Sequence, residues 1–168
     1  MWFDIFNLKT SEGVKRLTAV GLENGVIQLS LVEFDVDINK HFIVNTWKVE
    51  YDGPVLSVRL FTDQSNSVSV NNEFKQRLRT ALNTEFVADT EIHLLVTNSI
   101  ESSVVYRNVL INGLNKRLVL PNSRRCDCTI TSCVADIDMD ANNEIAIGTY
   151  GHVCSLSLIL LEINWKYI

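Results

Sequence analysis

Residues Ala135-Asp-Ile-Asp-Met-Asp-Ala-Asn-Asn-Glu-Ile-Ala-Ile-Gly-Thr-Tyr-Gly-His-Val-Cys154 hold the pattern that decides the fold. Three aspartates alternate at Asp136, Asp138 and Asp140, and Glu144 follows. Alternation at Ile145, Ala146, Ile147 and Gly148 has the period of two that a half-buried strand requires. Tyr150-Gly151 then marks a turn, and a second apolar run begins at Val153. The unit is an acidic loop, a strand, a turn and a returning strand.

The same hairpin recurs upstream. Leu17 to Leu31 alternates on both sides of Asn24-Gly25, a dipeptide that favours tight hairpins because both residues tolerate positive φ. Ile92 to Arg107 repeats the arrangement around a polar turn at residues 98–102. Single strands are read at Trp2 to Phe6, Phe42 to Val49, Val55 to Phe61, Leu118 to Pro121 and Thr129 to Val134, with more strand material from Leu156 to Trp165. Recurrence of a several-stranded unit is the mark of a β-propeller, whose blades run to roughly 40–50 residues. At that length the 168-residue chain holds about three blades, and known propellers close with about four to eight. The expected fold is therefore all-β: a partial propeller of about three blades, with residues 1–168 belonging to a single propeller domain. One departure interrupts it. Residues 62–90 read as a loop rich in Ser and Asn followed by a helix capped by Asn72, with Phe74, Leu78, Ala81 and Leu82 on one face. This insertion is expected to cover core, the alternative being a helix that docks a partner.

Composition narrows the function. The apolar share is 46%, enough for a folded core, and the net charge is -5. No block of basic residues appears, Arg124-Arg125 reading as part of a solvated loop, which argues against nucleic acid or an anionic membrane as the main ligand. The run Leu156 to Ile163 is broken by Ser157 and Glu162 and is far short of the ~20 residues of a transmembrane helix. Met1-Trp2-Phe3-Asp4 lacks a basic leader, so the chain reads as soluble and intracellular. Cys126, Cys128, Cys133 and Cys154 offer no second paired knuckle for zinc and read as reduced thiols.

The acidic loop is the one candidate binding site. Asp136, Asp138, Asp140 and Glu144 occupy positions one, three, five and nine of a calcium-loop pattern, with the carbonyl of Asn142 at position seven. Hard oxygen donors in this number suit Ca²⁺. An EF-hand is excluded because its position twelve falls on Ile147, and Ala141 stands where such loops carry glycine. The alternative is an acidic turn whose carboxylates accept backbone N–H bonds. No catalytic arrangement is found among His41, His93 and His152: His93 lies in an alternating strand, His152 sits on the hairpin turn beside Gly151, and no Gly-x-Ser-x-Gly elbow, P-loop or dinucleotide fingerprint is present. A non-enzymatic binding or scaffold protein remains.

The segment Asp136-x-Asp-x-Asp-x-x-x-Glu-Ile-Ala-Ile-Gly resembles the FG-GAP repeat of integrin α-subunit propellers. The wider order of segments resembles the kaptin family of intracellular propeller proteins. It rests on Arg16-Leu-Thr-Ala-Val-Gly, Trp47 with Asp52-Gly-Pro-Val, Val104-Val-Tyr-Arg-Asn-Val-Leu, Gly113-Leu, Leu118-Val-Leu-Pro, and Val134 to Gly151. It covers most of the chain from Trp2 onward except the insertion. Kaptin-like proteins are longer, so the chain is expected to be part of such a protein, without its earlier blades and final FG-GAP-like repeat. The resemblance implies a subunit of the KICSTOR complex, paired with a second FG-GAP propeller protein. That complex tethers GATOR1 to lysosomes and restrains TORC1 when nutrients are scarce. Association with actin filaments is the alternative the resemblance also implies, and a calcium-dependent, integrin-like adhesion domain is a third. The missing leader and the cysteine pattern speak against the third.

Overall fold

The computed structural model describes residues 1–10, 13–35, 40–62, 91–120, 123, 128–139, 142–151, 154–158 and 165–167. Of the loop and helix expected over residues 62–90, Thr62 belongs to a strand and residues 63–90 lie outside the described residues. Twelve strands occur among the described residues, in three four-stranded sheets. The first sheet holds β1 (Trp2–Thr10), β2 (Gly13–Gly21), β3 (Val26–Asp35) and β4 (Lys40–Glu50). The second holds β5 (Val55–Thr62), β6 (Ile92–Asn98), β7 (Val104–Tyr106) and β8 (Arg117–Val119). The third holds β9 (Thr129–Ala135), β10 (Glu144–Thr149), β11 (Cys154–Leu158) and β12 (Trp165–Tyr167).

Each sheet is an antiparallel meander whose strands pair in chain order. The first strand of each lies innermost: β1 packs against β5, and β5 against β9. Three meanders set side by side through their first strands are propeller blades. The three hairpins read from sequence are the middle strands of the three blades, β2–β3, β6–β7 and β10–β11. The turn at Asn24-Gly25 forms as expected, with Gly25 at φ 85° and Gly25 N–H donating to the Leu22 carbonyl. The connection over 63–90 joins β5 to β6, so it interrupts the second blade rather than separating two blades.

Two apolar cores separate the blades. Leu17, Ala19, Ile27 and Leu29 of the first blade meet Val58, Leu60, Leu94 and Val104 of the second. Phe61, Leu95 and Val105, from the other face of the second blade, meet Ile145 and Ile147 of the third. All of β6 is buried because its neighbouring residues serve different cores, Leu94 one way and Leu95 the other. The edge strand β4 is open by contrast, with Phe42, Ile43 and Val44 exposed.

A short helix, α1 (Val109–Asn112), was not expected from the apolar run it occupies. It is bounded by Asn108, in the left-handed region, and by Gly113 at φ 58°. A side chain at Gly113 would collide with the Trp47 indole, so this glycine lets the second blade close on β4 of the first. In the same core, Tyr51 and Tyr106 share a buried hydroxyl–hydroxyl hydrogen bond of 2.5 Å. Burial pushes both phenols above the ordinary tyrosine range, and the bond to Tyr106 raises Tyr51 further, while the Arg117 guanidinium opposes the shift.

Two predictions follow from this packing. Leu94→Ala, emptying a site between two blades, is expected to cost about 2–5 kcal/mol, whereas Ile43→Ala on the open edge stays within about 0.5 kcal/mol; urea denaturation distinguishes them. The tyrosine pair gives an alkaline signature. Above pH about 10 the unfolded chain loses phenol protons that the folded chain keeps, so stability is full below that pH and falls as pH rises. Replacing both tyrosines by Phe should flatten that fall in melting scans between about pH 9 and 11.

Candidate functional site

Glu144 opens β10 directly opposite Ala135, the last residue of β9, so residues 136–143 form the loop of this hairpin. The loop sits on the face of the molecule that also carries the end of β5, away from the links between blades. A hydrogen bond places it there: Asn143 Nδ2 donates to the carbonyl of Thr62 at 2.8 Å, joining the third blade to the second. Alternation alone puts Glu144 on the same face as Ala146, one residue out of phase with the apolar Ile145 and Ile147. Glu144 is nonetheless buried, with only 1% of the residue exposed.

The buried carboxylate organises the loop. Oε2 of Glu144 accepts the backbone N–H of Ile137 at 2.6 Å, folding the chain back over the start of the strand. Oε1 is buried and finds no hydrogen-bond partner among the described residues. Asp136 and Asp138 stand exposed beside it, and one oxygen from each of the three carboxylates lies within 4.8 Å of the others. Met139, next in the chain after Asp138, has a left-handed backbone at φ 62°.

Of the five residues expected to form the site, Asp136, Asp138 and Glu144 are brought together, and Asn142 lies half-buried in the same loop. Asp140, and the Ala141 expected at the sharp bend, lie outside the described residues. Sequence reasoning missed Asn143, whose role depends on a carbonyl 81 positions away and leaves no local signal. It also missed the burial of Glu144. Two histidines are described. His93 is buried, with Nδ1 accepting the N–H of Asn108 at 3.1 Å and its ring tilted against Phe61. His41 lies beside Phe34 at the edge of the first blade. His152, Cys126 and Arg124-Arg125 lie outside the described residues.

A sequence model of the family described as "KICSTOR complex protein kaptin" matches residues 1–164. The chain belongs to the kaptin family. The mouse protein named "KICSTOR complex protein kaptin" is 28% identical over 151 residues, covering 90% of this chain and 30% of the mouse protein. The chain thus spans about a third of the length of that kaptin relative. The family match includes all three blades through β11, as well as the acidic loop and the insertion.

Removal of the Glu144 side chain tests how far the loop depends on it. Glu144→Ala strands the N–H of Ile137 and is expected to cost about 1–3 kcal/mol in chemical denaturation. Asp136→Ala, removing an exposed group, should stay within about 0.5 kcal/mol.

Proposed function

We propose that the protein is a non-enzymatic propeller scaffold that works as a kaptin-type subunit of the KICSTOR complex, helping to hold GATOR1 at lysosomes and so restraining TORC1 when nutrients are scarce. The observation that carries this reading is the kaptin-family match across residues 1–164, which reaches into all three blades rather than one shared motif. The surface supports it. The first blade exposes Phe3 and Ile5 on β1 and Phe42, Ile43 and Val44 on β4, apolar groups of the kind that protein contacts cover. A partner of this kind is a second FG-GAP-type propeller protein.

Attachment to a lysosome would pass through the complex, since no helix among the described residues is long and apolar enough to cross a membrane. The described histidines also support a scaffold, because His93 is committed to packing and to a backbone N–H.

Affinity purification of the tagged full chain from cells tests the proposal. Co-recovery of the other KICSTOR subunits together with GATOR1 is the expected result. Recovery of actin filaments without any of those subunits would replace this reading by a cytoskeletal one.

A further inference from the structure

We infer that the outer edge of the second blade, strand β8 with the cleft beside it, binds an extended peptide segment of a partner protein, one that carries a basic, an apolar and an acidic residue at alternate positions in that order. An open strand edge, a cleft and two opposite charges meet there.

The edge follows from the ladder. Strand β8 is last in its sheet and, among the described residues, pairs only with β7. The carbonyl of Lys116 accepts the N–H of Arg107, and the N–H of Leu120 donates to the carbonyl of Ser103. Lys116 and Leu120 therefore turn their backbone groups toward β7. Backbone polar groups alternate in direction along an antiparallel strand. Leu118 accordingly faces β7 as well, and Arg117 and Val119 present their N–H and C=O groups at the open edge. An extended peptide pairs with an edge of this kind.

The side chains of the same two residues line the cleft. It has a volume of about 560 Å³, and Ile100 and Glu101 of the β6–β7 turn and Val104 of β7 share its walls. That volume lies within the range of ligand-binding clefts. The turn is held in shape before a ligand arrives. Asn98 Oδ1 accepts the N–H groups of Ile100 at 2.8 Å and Glu101 at 3.0 Å, while its Nδ2 donates to the Gly53 carbonyl. Glu101 is tied down in turn, its Oε1 accepting the N–H of Asp52 at 2.8 Å.

Charge fixes the sequence of the peptide. Tyr106 pairs with Arg117 and Val104 with Val119, so the β6–β7 turn lies at the Val119 end of β8. The order along the cleft is thus a cation at Arg117, an apolar group at Val119 and an anion at Glu101. Antiparallel pairing is the commoner kind, and an antiparallel peptide meets these groups in reverse. Side chains on one face of a strand recur at every second residue. Complementarity then asks for Lys or Arg at Glu101, an aliphatic residue at Val119 and Asp or Glu at Arg117, where a guanidinium–carboxylate pair forms.

Fluorescence anisotropy of the full chain with the fluorescein-labelled peptide Ser-Lys-Thr-Val-Thr-Glu-Ser tests the site, against the same peptide with Lys and Glu exchanged. The two have equal composition and net charge, so non-specific attraction does not separate them. Saturable binding of the first is expected, with the exchanged peptide about tenfold weaker or more. Val119→Pro removes an outward N–H and leaves the bonds to β7 in place, so it should keep the parent's circular dichroism spectrum and weaken binding about fivefold or more. Arg117→Gln should weaken it about tenfold. Absence of saturable binding up to about 0.5 mM chain, or binding of either variant or of the exchanged peptide within about twofold of the parent pairing, would overturn the site. Self-association of the chain that Val119→Pro abolishes would seat a second copy on β8 and overturn the peptide reading. The titration uses the chain alone, so its failure is distinct from a failure of the co-purification above.

Discussion

A four-stranded meander with apolar residues on both faces cannot satisfy both faces by itself, and everything else in this molecule depends on that constraint. Adjacent residues of a strand point to opposite faces, so Leu94 and Leu95 must each find a different partner surface. They find the first and third blades. The second blade is thereby committed on both sides, and β6 is buried along its whole length. The polar contacts between blades follow from the same geometry. Once apolar side chains have driven the sheets together, most polar groups caught between them pair. Ser57 meets Ser132 at 2.9 Å, the Leu60 N–H donates to Asp4 Oδ2 at 2.8 Å, and Thr129 Oγ1 donates to the Asn98 carbonyl at 2.8 Å. These bonds fix how the blades sit against each other more than they drive the association, since a net hydrogen bond contributes only about 1 kcal/mol.

What could be read from the chain was what is local. The β2–β3, β6–β7 and β10–β11 hairpins announce themselves because two alternating runs flank a short turn, and Asn24-Gly25 names its own backbone geometry. Strand ends were less legible. Trp2 to Phe6 reads as a short run, yet β1 continues to Thr10, because pairing with Gly13–Gly21 carries the polar residues along. Helix α1 was invisible for a related reason. Val109-Leu110-Ile111 has strand-like composition, and only the flanking Asn108 and Gly113, both at positive φ, hinted at a tight enclosed turn. Tertiary contact overrode propensity there: a side chain at position 113 would collide with the Trp47 indole.

Contacts distant along the chain were not legible at all. Asn143 to Thr62, Tyr51 to Tyr106 and Ser57 to Ser132 join residues 55 to 81 positions apart, and none sits in a pattern that would single it out. In the acidic loop the spacing of carboxylates was plain, but their inequality was not. Alternation treats Asp136, Asp138 and Glu144 as equivalent donors, and the fold makes two of them exposed and one buried.

That inequality decides how the loop behaves. An exposed carboxylate can turn toward solvent at little cost, so two aspartates alone would not hold a fixed arrangement. Glu144 differs because it is part of β10 and is clasped between sheet and loop. One of its oxygens is committed to the Ile137 N–H, which sets the path of the backbone between the two aspartates. The other oxygen is held in a buried position by the same constraint and cannot relax into water. The loop is therefore shaped by the packing of the blade before any ligand is considered. Preorganisation of this kind lowers the entropic cost of binding, and its origin is the burial of a strand residue rather than the acidic motif that drew attention to the loop.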